Sequence, residues 1–223
     1  VVQMSTLPAL MPSLRGYDVF GVSRPAELTG GDTFDLQPLD QGLLVVLADA
    51  AGHGIAPALA VTQMQAMLRM AFRLNADLQT SFIQVNNQLA ETLPADRFVT
   101  AFVGVLDADA HRVQFHAVAG SRKRHGLTSL PLGAMPVESL RSGASLDLQP
   151  GDILVLLSDG VYEYQDAQHA EFGEQFSHMH GFARRQRQVV GAPRVGDERR
   201  PSGARVAAEL VFHVENEKVV HTG

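Results

Sequence analysis

Three aspartates in this sequence stand in surroundings that suit metal chemistry. Asp32 lies in the stretch GGDTFD, whereas Asp49 and Asp159 each end a run of apolar residues and are followed by small residues. Carboxylates are hard oxygen ligands of the kind that Mg²⁺ and Mn²⁺ prefer. If the apolar runs are buried strands, the three carboxylates can converge on one edge of a sheet. The pattern therefore indicates a candidate site for divalent cations.

Small residues around these aspartates leave room for a metal ion and a phosphate group. Gly30, Gly31 and Gly52 let the backbone approach closely, so that a main-chain carbonyl or a metal-bound water fits there. His53, in the same loop as Gly52, is a candidate acid or ligand, but a lone histidine in a glycine loop is more often a structural hydrogen-bonder. Asp35 is either an outer partner of the site or a solvated residue on the next strand. The pair Asp159–Gly160, taken alone, is also a routine turn signal.

The elements that must position these residues follow from the apolar pattern. Apolar runs predict extended segments at 17–28, 42–49, 97–107, 112–118 and 151–160. The continuous run at 42–49 is typical of a strand buried on both faces. Helical spacing of apolar residues predicts helices over 56–74 and about 80–93. Strands, then helices, then strands again favour an α+β layered domain rather than a βαβ winding.

Composition narrows the classes of function. The 223 residues are 45% hydrophobic, enough for a sizeable core, and the net charge of -6 argues against a nucleic-acid binder. The absence of cysteine excludes disulfides and thiolate metal sites and is consistent with a reducing compartment. No apolar run approaches the ~20 residues that span a bilayer, and the N-terminus has no signal-peptide pattern. We therefore expect a cytoplasmic protein that binds neither membrane nor nucleic acid.

Five pieces of the chain resemble, in order and spacing, the SpoIIE-like branch of the metal-dependent protein serine/threonine phosphatases, the PPM or type 2C family. These pieces are GYDVFGVSRPAELTGGDTFDL, VLADAAGHGIAPALA, RFVTAFVGVLD, LPLGAMP and LQPGDILVLLSDGVYEYQDAQHAEFGEQ. The likeness runs from about residue 5 to about residue 175. It implies a layered α/β/β/α sandwich of two mainly antiparallel sheets flanked by helices, with two Mn²⁺ or Mg²⁺ ions at one end.

The resemblance also implies roles for individual residues. Asp49 matches the carboxylate that bridges both metals, and the backbone carbonyl of Ala50 is a further ligand. Asp32 matches the ligand of the first motif, and Asp159 matches the ligand of the SDG motif, which Gly160 completes. A water between the metals would attack phosphorus in line, without a covalent phospho-enzyme. Asp49 and Asp32 are thus the predicted catalytic residues.

The sequence departs from the family pattern in two places. The family closes with an Asp-Asp pair directly before its last strand, and this sequence has no such pair. Asp197 lies too far from the strand-like stretch that starts at Val206 to take that place. Ser121 stands where the family tends to have histidine, in a loop that is shorter than expected. We therefore expect one of the two metal sites to be incomplete.

The segment after about Gly181 differs in character from the rest of the chain. Residues 184–205 carry seven arginines among Gln, Gly and Pro, with little apolar periodicity. This composition favours a solvated, mobile segment, with an arm for nucleic acid or an acidic partner as the minority interpretation. We accordingly divide the chain into a phosphatase-like domain at 1–181 and an atypical Arg-rich segment at 182–223, which is either disordered or closes the sandwich.

Two classes of function follow. The first is an active phosphatase that hydrolyses phosphoserine or phosphothreonine on a bacterial regulatory protein, such as an anti-sigma-factor antagonist, in stress-response signalling. The alternative is a catalytically weak, phosphatase-like binding module that sequesters a signalling partner. Hydrolysis of a small phosphoester is a third, remote interpretation. Because the chain opens at Val1, we expect a fragment of a longer protein in which a sensor or receiver domain precedes it.

Overall fold

The computed structural model describes residues 5–24, 30–52, 54–118, 130–140 and 142–158, and the backbone of two later strands at 188–191 and 207–214. In chain order the elements are β1 (Tyr17–Arg24), β2 (Thr33–Leu39), β3 (Gly42–Ala50), α1 (Ile55–Arg73), α2 (Leu78–Thr92), β4 (Val99–Asp107), β5 (Arg112–Val118), β6 (Ala144–Asp147), β7 (Ile153–Leu157), β8 (Gln188–Gly191) and β9 (Ala207–Val214).

The strands form two sheets with a shared apolar core between them. One sheet has five strands in the order β2-β3-β4-β5-β6, and all its pairings are antiparallel. The other has four strands in the order β1-β9-β7-β8, of which only β7 and β8 pair in parallel. The prediction of an α+β fold with two mainly antiparallel sheets is confirmed by this arrangement.

Strand β3 is buried on both faces because a separate core lies against each face. Leu43, Val45 and Leu47 belong to the core between the sheets. Leu44 and Val46, which alternate with them, belong to the core between the five-stranded sheet and the helices. Successive side chains of a strand point to opposite faces, so a strand between two cores needs apolar residues at every position. This explains the continuous apolar run that predicted the strand.

The two helices cover the outer face of the five-stranded sheet, with α1 on β2 and β3 and α2 on β4 and β5. Helix α1 buries Ala60, Val61, Met64 and Leu68 among its sheet-facing residues. Helix α2 begins after Asp77, whose carboxylate accepts a hydrogen bond from the Thr80 backbone N–H at 2.8 Å. This side-chain cap satisfies one of the free donors at a helix start. The prediction of these two helices is confirmed.

The C-terminal segment contributes two strands to the four-stranded sheet. Strand β9 lies between β1 and β7 and is antiparallel to both, and β8 forms the edge beside β7. The apolar stretch from Val206 had indicated β9, whereas β2 was expected without a range and the four-residue strands β6 and β8 were not predicted. The division of the chain at residue 181 stays a prediction.

Candidate active site

Asp32 and Asp49 lie side by side at one end of the core between the sheets. Thr33 at the start of β2 pairs with Ala48 of β3, so Asp32, one residue earlier, comes opposite Asp49. By strand alternation Asp49 follows Leu47 on the face of β3 that meets the other sheet. The two residues are only 5% and 3% exposed. Burying carboxylates is unfavourable unless hydrogen bonds or cations offset the lost hydration. The pair therefore marks this end of the sandwich as a candidate site.

Gly31 lets a main-chain carbonyl approach these carboxylates. A Cβ at position 31 would lie 2.5 Å from the Ala50 carbonyl oxygen and 2.8 Å from Asp49 Oδ1, closer than real side chains come. The Gly31 carbonyl in turn accepts a hydrogen bond from the Ala50 N–H at 3.2 Å. The space left by the missing side chain is thus shared by two oxygen atoms, directly beside Asp32. Close backbone approach at Gly31 was expected from the sequence, and the geometry confirms it.

A hydrogen bond joins the two sheets at this end of the sandwich. Ser158, which follows β7 of the four-stranded sheet, donates from its hydroxyl to Asp32 Oδ2 at 3.1 Å. Both residues are buried, although 126 positions separate them in the sequence. Asp159 comes directly after Ser158 and lies outside the described residues, as do Gly160 and His53. The ends of β7 and β2 therefore meet at the candidate site.

The loop after β3 is held from the start of β4. The Thr100 hydroxyl donates to the Asp49 carbonyl at 3.0 Å, and the Ala51 N–H donates to the Phe98 carbonyl at 3.0 Å. The guanidinium of Arg97 donates from Nη1 to the Ala51 carbonyl, also at 3.0 Å. These bonds extend the pairing of β3 with β4 past its last registered pair, Ala50 with Val99. The backbone that carries Asp49 and Ala50 is consequently fixed on both sides.

Asp35 lies on the opposite face of β2 from Asp32 and contacts helix α1. Its carboxylate accepts two hydrogen bonds from the Arg69 guanidinium, at 2.6 and 2.8 Å, and is 1% exposed. The interpretation of Asp35 as a solvated residue is therefore wrong, because the helix covers it. Arg69 also donates to the Thr6 carbonyl at 2.8 Å, so the pair ties the chain before β1 to α1 and β2.

Ser158, Thr100 and Arg97 contact the site but were not singled out from the sequence. Ser158 had a weak signal, because it directly precedes Asp159 in the SDG motif. Thr100 had a similar one, since it is a polar residue in an otherwise apolar strand and is fully buried. Nothing in the local pattern distinguishes Arg97 from an ordinary surface arginine. Its partner, the Ala51 carbonyl, lies 46 positions away in the sequence.

The oxygens at the site suit a hard divalent cation. The carboxylates of Asp32 and Asp49 and the carbonyl of Ala50 are the kinds of donor that Mg²⁺ and Mn²⁺ accept, and Gly31 leaves space beside Asp49 Oδ1 and the Ala50 carbonyl oxygen. Within the described part of the chain, no three His, Asp or Glu side chains cluster as a metal site. A further carboxylate would have to come from elsewhere, and Asp159 is the candidate that the sequence offers. The donor set therefore fits the predicted cofactor, with Asp159 as the expected third carboxylate.

The sequence of this chain matches the model of one protein family. Residues 40–190 match the family model described as stage II sporulation protein E, SpoIIE. Among curated proteins, the phosphoserine phosphatase RsbU of Bacillus subtilis (strain 168) is 25% identical over 178 residues, which cover 73% of this chain and 51% of RsbU. The chain therefore spans about half the length of this relative.

Solved structures share the fold at low sequence identity. The RsbU and RsbW domains of Rv1364c from Mycobacterium tuberculosis align with a TM-score of 0.66 and 18% identity, over 90% of this chain and 60% of that one. The PP2C phosphatase domain of SpoIIE from Bacillus subtilis, solved with a fragment of its regulatory domain, aligns with a TM-score of 0.66 and 16% identity, over 91% of this chain and 64% of that one. RsbX in complex with magnesium aligns with a TM-score of 0.59 and 12% identity, over 92% of this chain and 98% of that one. In the part of the chain that the structure describes, no helix is long and apolar enough to cross a membrane.

Proposed function

The chain belongs to the SpoIIE family, and from that membership we propose that it is a metal-dependent protein serine/threonine phosphatase. Its fold is that of PP2C-type phosphatase domains. The observation that carries the proposal is the hydrogen bond between Ser158 and Asp32. This bond brings the end of β7, where the SDG motif begins, to the buried carboxylates of Asp32 and Asp49. Ligands from distant parts of the sequence can then serve one centre.

Asp32, Asp49 and the Ala50 carbonyl are the proposed ligands for two Mn²⁺ or Mg²⁺ ions, with Asp159 as a further one. When bound, the cations supply an activated water as nucleophile and offset charge on the phosphoryl oxygens. Asp49 would serve both ions, as the resemblance to the family implies, and its Oδ1 and the Ala50 carbonyl oxygen both lie beside Gly31. Ser158 orients Asp32 by donating to one of its oxygens, and the apolar core below the carboxylates excludes water from that side.

The proposed substrate is phosphoserine or phosphothreonine on a bacterial regulatory protein, such as an anti-sigma-factor antagonist. Two comparisons support this class of substrate. The relative RsbU is named a phosphoserine phosphatase, and one structural neighbour combines RsbU and RsbW domains in a single protein. Stress-response signalling by sigma-factor regulation is therefore the proposed setting, and a cytoplasmic location would accompany it.

An assay of phosphate release tests the proposal. The purified chain is incubated with phosphoserine and phosphothreonine peptides, and with p-nitrophenyl phosphate, in Mn²⁺, in Mg²⁺ and in EDTA. We expect phosphate release from the peptides that requires a divalent ion and stops in EDTA. Asp147→Asn is a matched control, because Asp147 is an exposed carboxylate on β6 that pairs with Arg112. This variant should keep full activity.

Other results of the same assay would contradict the proposal. Release from p-nitrophenyl phosphate alone would support the small-phosphoester interpretation. Binding of a phosphorylated protein without any phosphate release at saturating metal would support the alternative of a phosphatase-like binding module. Activity that persists in EDTA would exclude the dinuclear-metal mechanism.

A further inference from the structure

Arg97 lies beside the loop that follows Asp49, although it belongs to another part of the chain. Its backbone N–H closes a turn with the Pro94 carbonyl at 2.8 Å, directly before β4. Because Ala51 and Phe98 extend the pairing of β3 with β4, Arg97 comes opposite Gly52. The side chain is therefore positioned by the same strand pairing that positions Asp49.

Gly52 and the Arg97 side chain are complementary in shape. Gly52 has a φ of +102°, a conformation that residues with a Cβ rarely adopt. A Cβ at this position would also collide with Nη1 of Arg97 and would lie 3.6 Å from the Pro57 ring. The guanidinium therefore occupies the space that the glycine leaves open, between the loop and the start of α1.

The hydrogen bond from Arg97 fixes the loop on the side away from β2. Neither of the ion pairs between described residues includes Arg97, so its described side-chain partner is the Ala51 carbonyl. Holding that carbonyl fixes the peptide plane between Ala51 and Gly52. The neighbouring peptide is the one that supplies the Ala50 carbonyl, which faces Gly31. Oxygen donors held in place before binding lose less conformational freedom when an ion binds.

We propose that Arg97 is a positioning residue for the metal centre, which holds the Ala51 carbonyl so that the Ala50 carbonyl and Asp49 keep their places for the cation. This inference rests on the proposed function and adds a residue to it. Outer partners of metal ligands commonly change metal affinity by about 10- to 100-fold when they are removed. The charge of Arg97 and its hydrogen bond to the Ala51 carbonyl have opposite effects on cation binding. The positive charge repels a cation, so its removal alone would raise the Mn²⁺ affinity. A loss of affinity in Arg97→Ala is therefore attributed to the lost hydrogen bond that positions the loop.

Calorimetric titration of the purified variants with Mn²⁺ tests this inference without an activity measurement. Arg97→Ala should bind Mn²⁺ about 10-fold more weakly than the wild-type chain. Arg97→Lys keeps a long side chain with an N–H donor that can approach the Ala51 carbonyl, so it should lose less Mn²⁺ affinity than Arg97→Ala. Arg112→Ala is the matched control, because Arg112 is an exposed arginine paired with Asp147 on β6. This control should leave the affinity unchanged.

A second measurement separates positioning from direct contact with the substrate. At saturating Mn²⁺, Arg97→Ala should keep the wild-type KM for a phosphoserine peptide. Unchanged Mn²⁺ affinity together with a raised KM would overturn the proposal and indicate that the guanidinium binds the phosphoryl group. Equal losses of Mn²⁺ affinity in Arg97→Lys and Arg97→Ala would overturn it too. Circular dichroism melting checks that each variant is folded.

The outcomes also separate this inference from the proposed function. A wild-type chain that binds no Mn²⁺ would contradict both. Mn²⁺ binding by the wild-type chain that Arg97→Ala retains in full would contradict the role of Arg97 alone. Tight, Arg97-dependent Mn²⁺ binding without phosphatase activity would support the positioning role and contradict the enzymatic proposal.

Discussion

At the scale of single residues, Asp49 combines burial with a position at the end of a strand that is fixed on both sides. Its backbone pairs with Thr100 of β4 and its carbonyl accepts the Thr100 hydroxyl, while its Oδ1 lies beside Gly31. The backbone at Asp49 is held in place, because its strand has a core on each face. Rigid placement of this kind is what a bridging ligand requires.

We expect Asp49→Asn to abolish Mn²⁺-dependent turnover and to leave the fold intact. The substitution keeps the size of the side chain and removes the charge that a bridging ligand supplies. Activity is measured on a phosphoserine peptide, and folding by circular dichroism. Asp152→Asn is a suitable control, because Asp152 caps the turn before β7 by accepting from the Gln149 N–H. Full activity of the Asp49→Asn variant would contradict the assignment of Asp49 as the bridging residue.

His116 on β5 is a buried titratable group outside the proposed mechanism. The residue is 1% exposed, its ring centroid lies 5.0 Å from that of Phe82, and its Nδ1 has no hydrogen-bond partner. Burial disfavours the protonated ring and lowers the pKa of His116 below its ordinary value of 6.5. Below pH 6.5 the unfolded chain then binds more protons at this residue than the folded chain does. The folded state must lose stability as the pH falls from 6.5 toward the lowered pKa.

Replacing this histidine should therefore flatten the acid side of the stability profile. We expect the wild-type chain to lose free energy of unfolding between pH 6.5 and pH 5, and His116→Leu to lose less of it. Urea unfolding at several pH values measures both. A change in packing shifts the free energy of unfolding by a similar amount at every pH, whereas the loss of a titrating group changes the slope of that free energy with pH. Equal slopes in the two proteins would show that His116 does not titrate in this range.

At the scale of elements, α1 is joined to β2 by the ion pair of Arg69 with Asp35, and Gln65 of α1 also donates to the Phe34 carbonyl at 3.0 Å. Asp35 is covered by the helix and Arg69 is 30% exposed at its side chain. Removing one partner of a buried pair leaves the other charge without compensation, which costs more than the pair contributes. The ion pair is thus one contact between the helix and the strand that follows Asp32, and a single substitution can break it.

Arg69→Met should lower the free energy of unfolding by about 3 kcal/mol, because the Asp35 carboxylate would stay buried without its partner. The double variant Arg69→Met/Asp35→Val should recover most of that loss, since no buried charge remains. Urea denaturation of the single and double variants measures the difference. The exposed pair of Arg112 with Asp147 supplies the comparison, and Arg112→Met should change stability little. A double variant no more stable than Arg69→Met would refute the argument.

Ser158 connects the two sheets where the candidate ligands meet. Ser158→Ala removes the donor to Asp32 Oδ2, and we expect Mn²⁺ to bind about 10-fold more weakly as a result. Calorimetric titration measures the affinity. Ser81, another fully buried serine, gives a matched control, because it lies in α2 and Ser81→Ala should leave Mn²⁺ affinity unchanged. If Ser158→Ala binds Mn²⁺ as tightly as the wild type and as Ser81→Ala, the hydrogen bond from Ser158 does not position Asp32.

Two elements around the site, β3 and α1, could be predicted because their signals are local. The apolar run before Asp49 and the helical spacing after Pro57 each arise from neighbours in the sequence, and the structure has β3 and α1 at those places. The residues that contact the site from distant parts of the sequence have no such local signal. Ser158 meets Asp32 only through the packing of one sheet on the other, and Arg97 meets Ala51 only through strand pairing. No local pattern encodes such contacts, so only the structure reveals them.

At the scale of the whole molecule, the sequence after about residue 181 lacks the Asp-Asp ending of the family. Strand β9 begins at Ala207, and Asp197 lies ten positions before it. We expect that this segment supplies no good fourth ligand and that one of the two ions is held weakly. An ion with fewer carboxylate ligands keeps more water and exchanges more readily.

Metal titration should therefore give one tighter and one weaker Mn²⁺ site, and turnover should need millimolar rather than micromolar Mn²⁺. Asp159→Asn should abolish the tighter binding, whereas Asp197→Asn should leave the titration unchanged. Two tight sites of similar affinity would contradict this expectation. A clear loss of binding in Asp197→Asn would do so too, because it would assign a ligand to the C-terminal segment.

The position of β9 between β1 and β7 has a consequence for biosynthesis. Strand β1 begins at Tyr17, whereas its partner β9 ends only at Val214, so β1 is synthesised long before the strand that pairs with it. Until then, β1 and β7 have unpaired edges that face each other across a missing strand. Pairings over so long a sequence separation also form slowly. One sheet of the nascent protein therefore stays open until β9 is synthesised, and its unpaired strand edges are then sites at which the chain can aggregate.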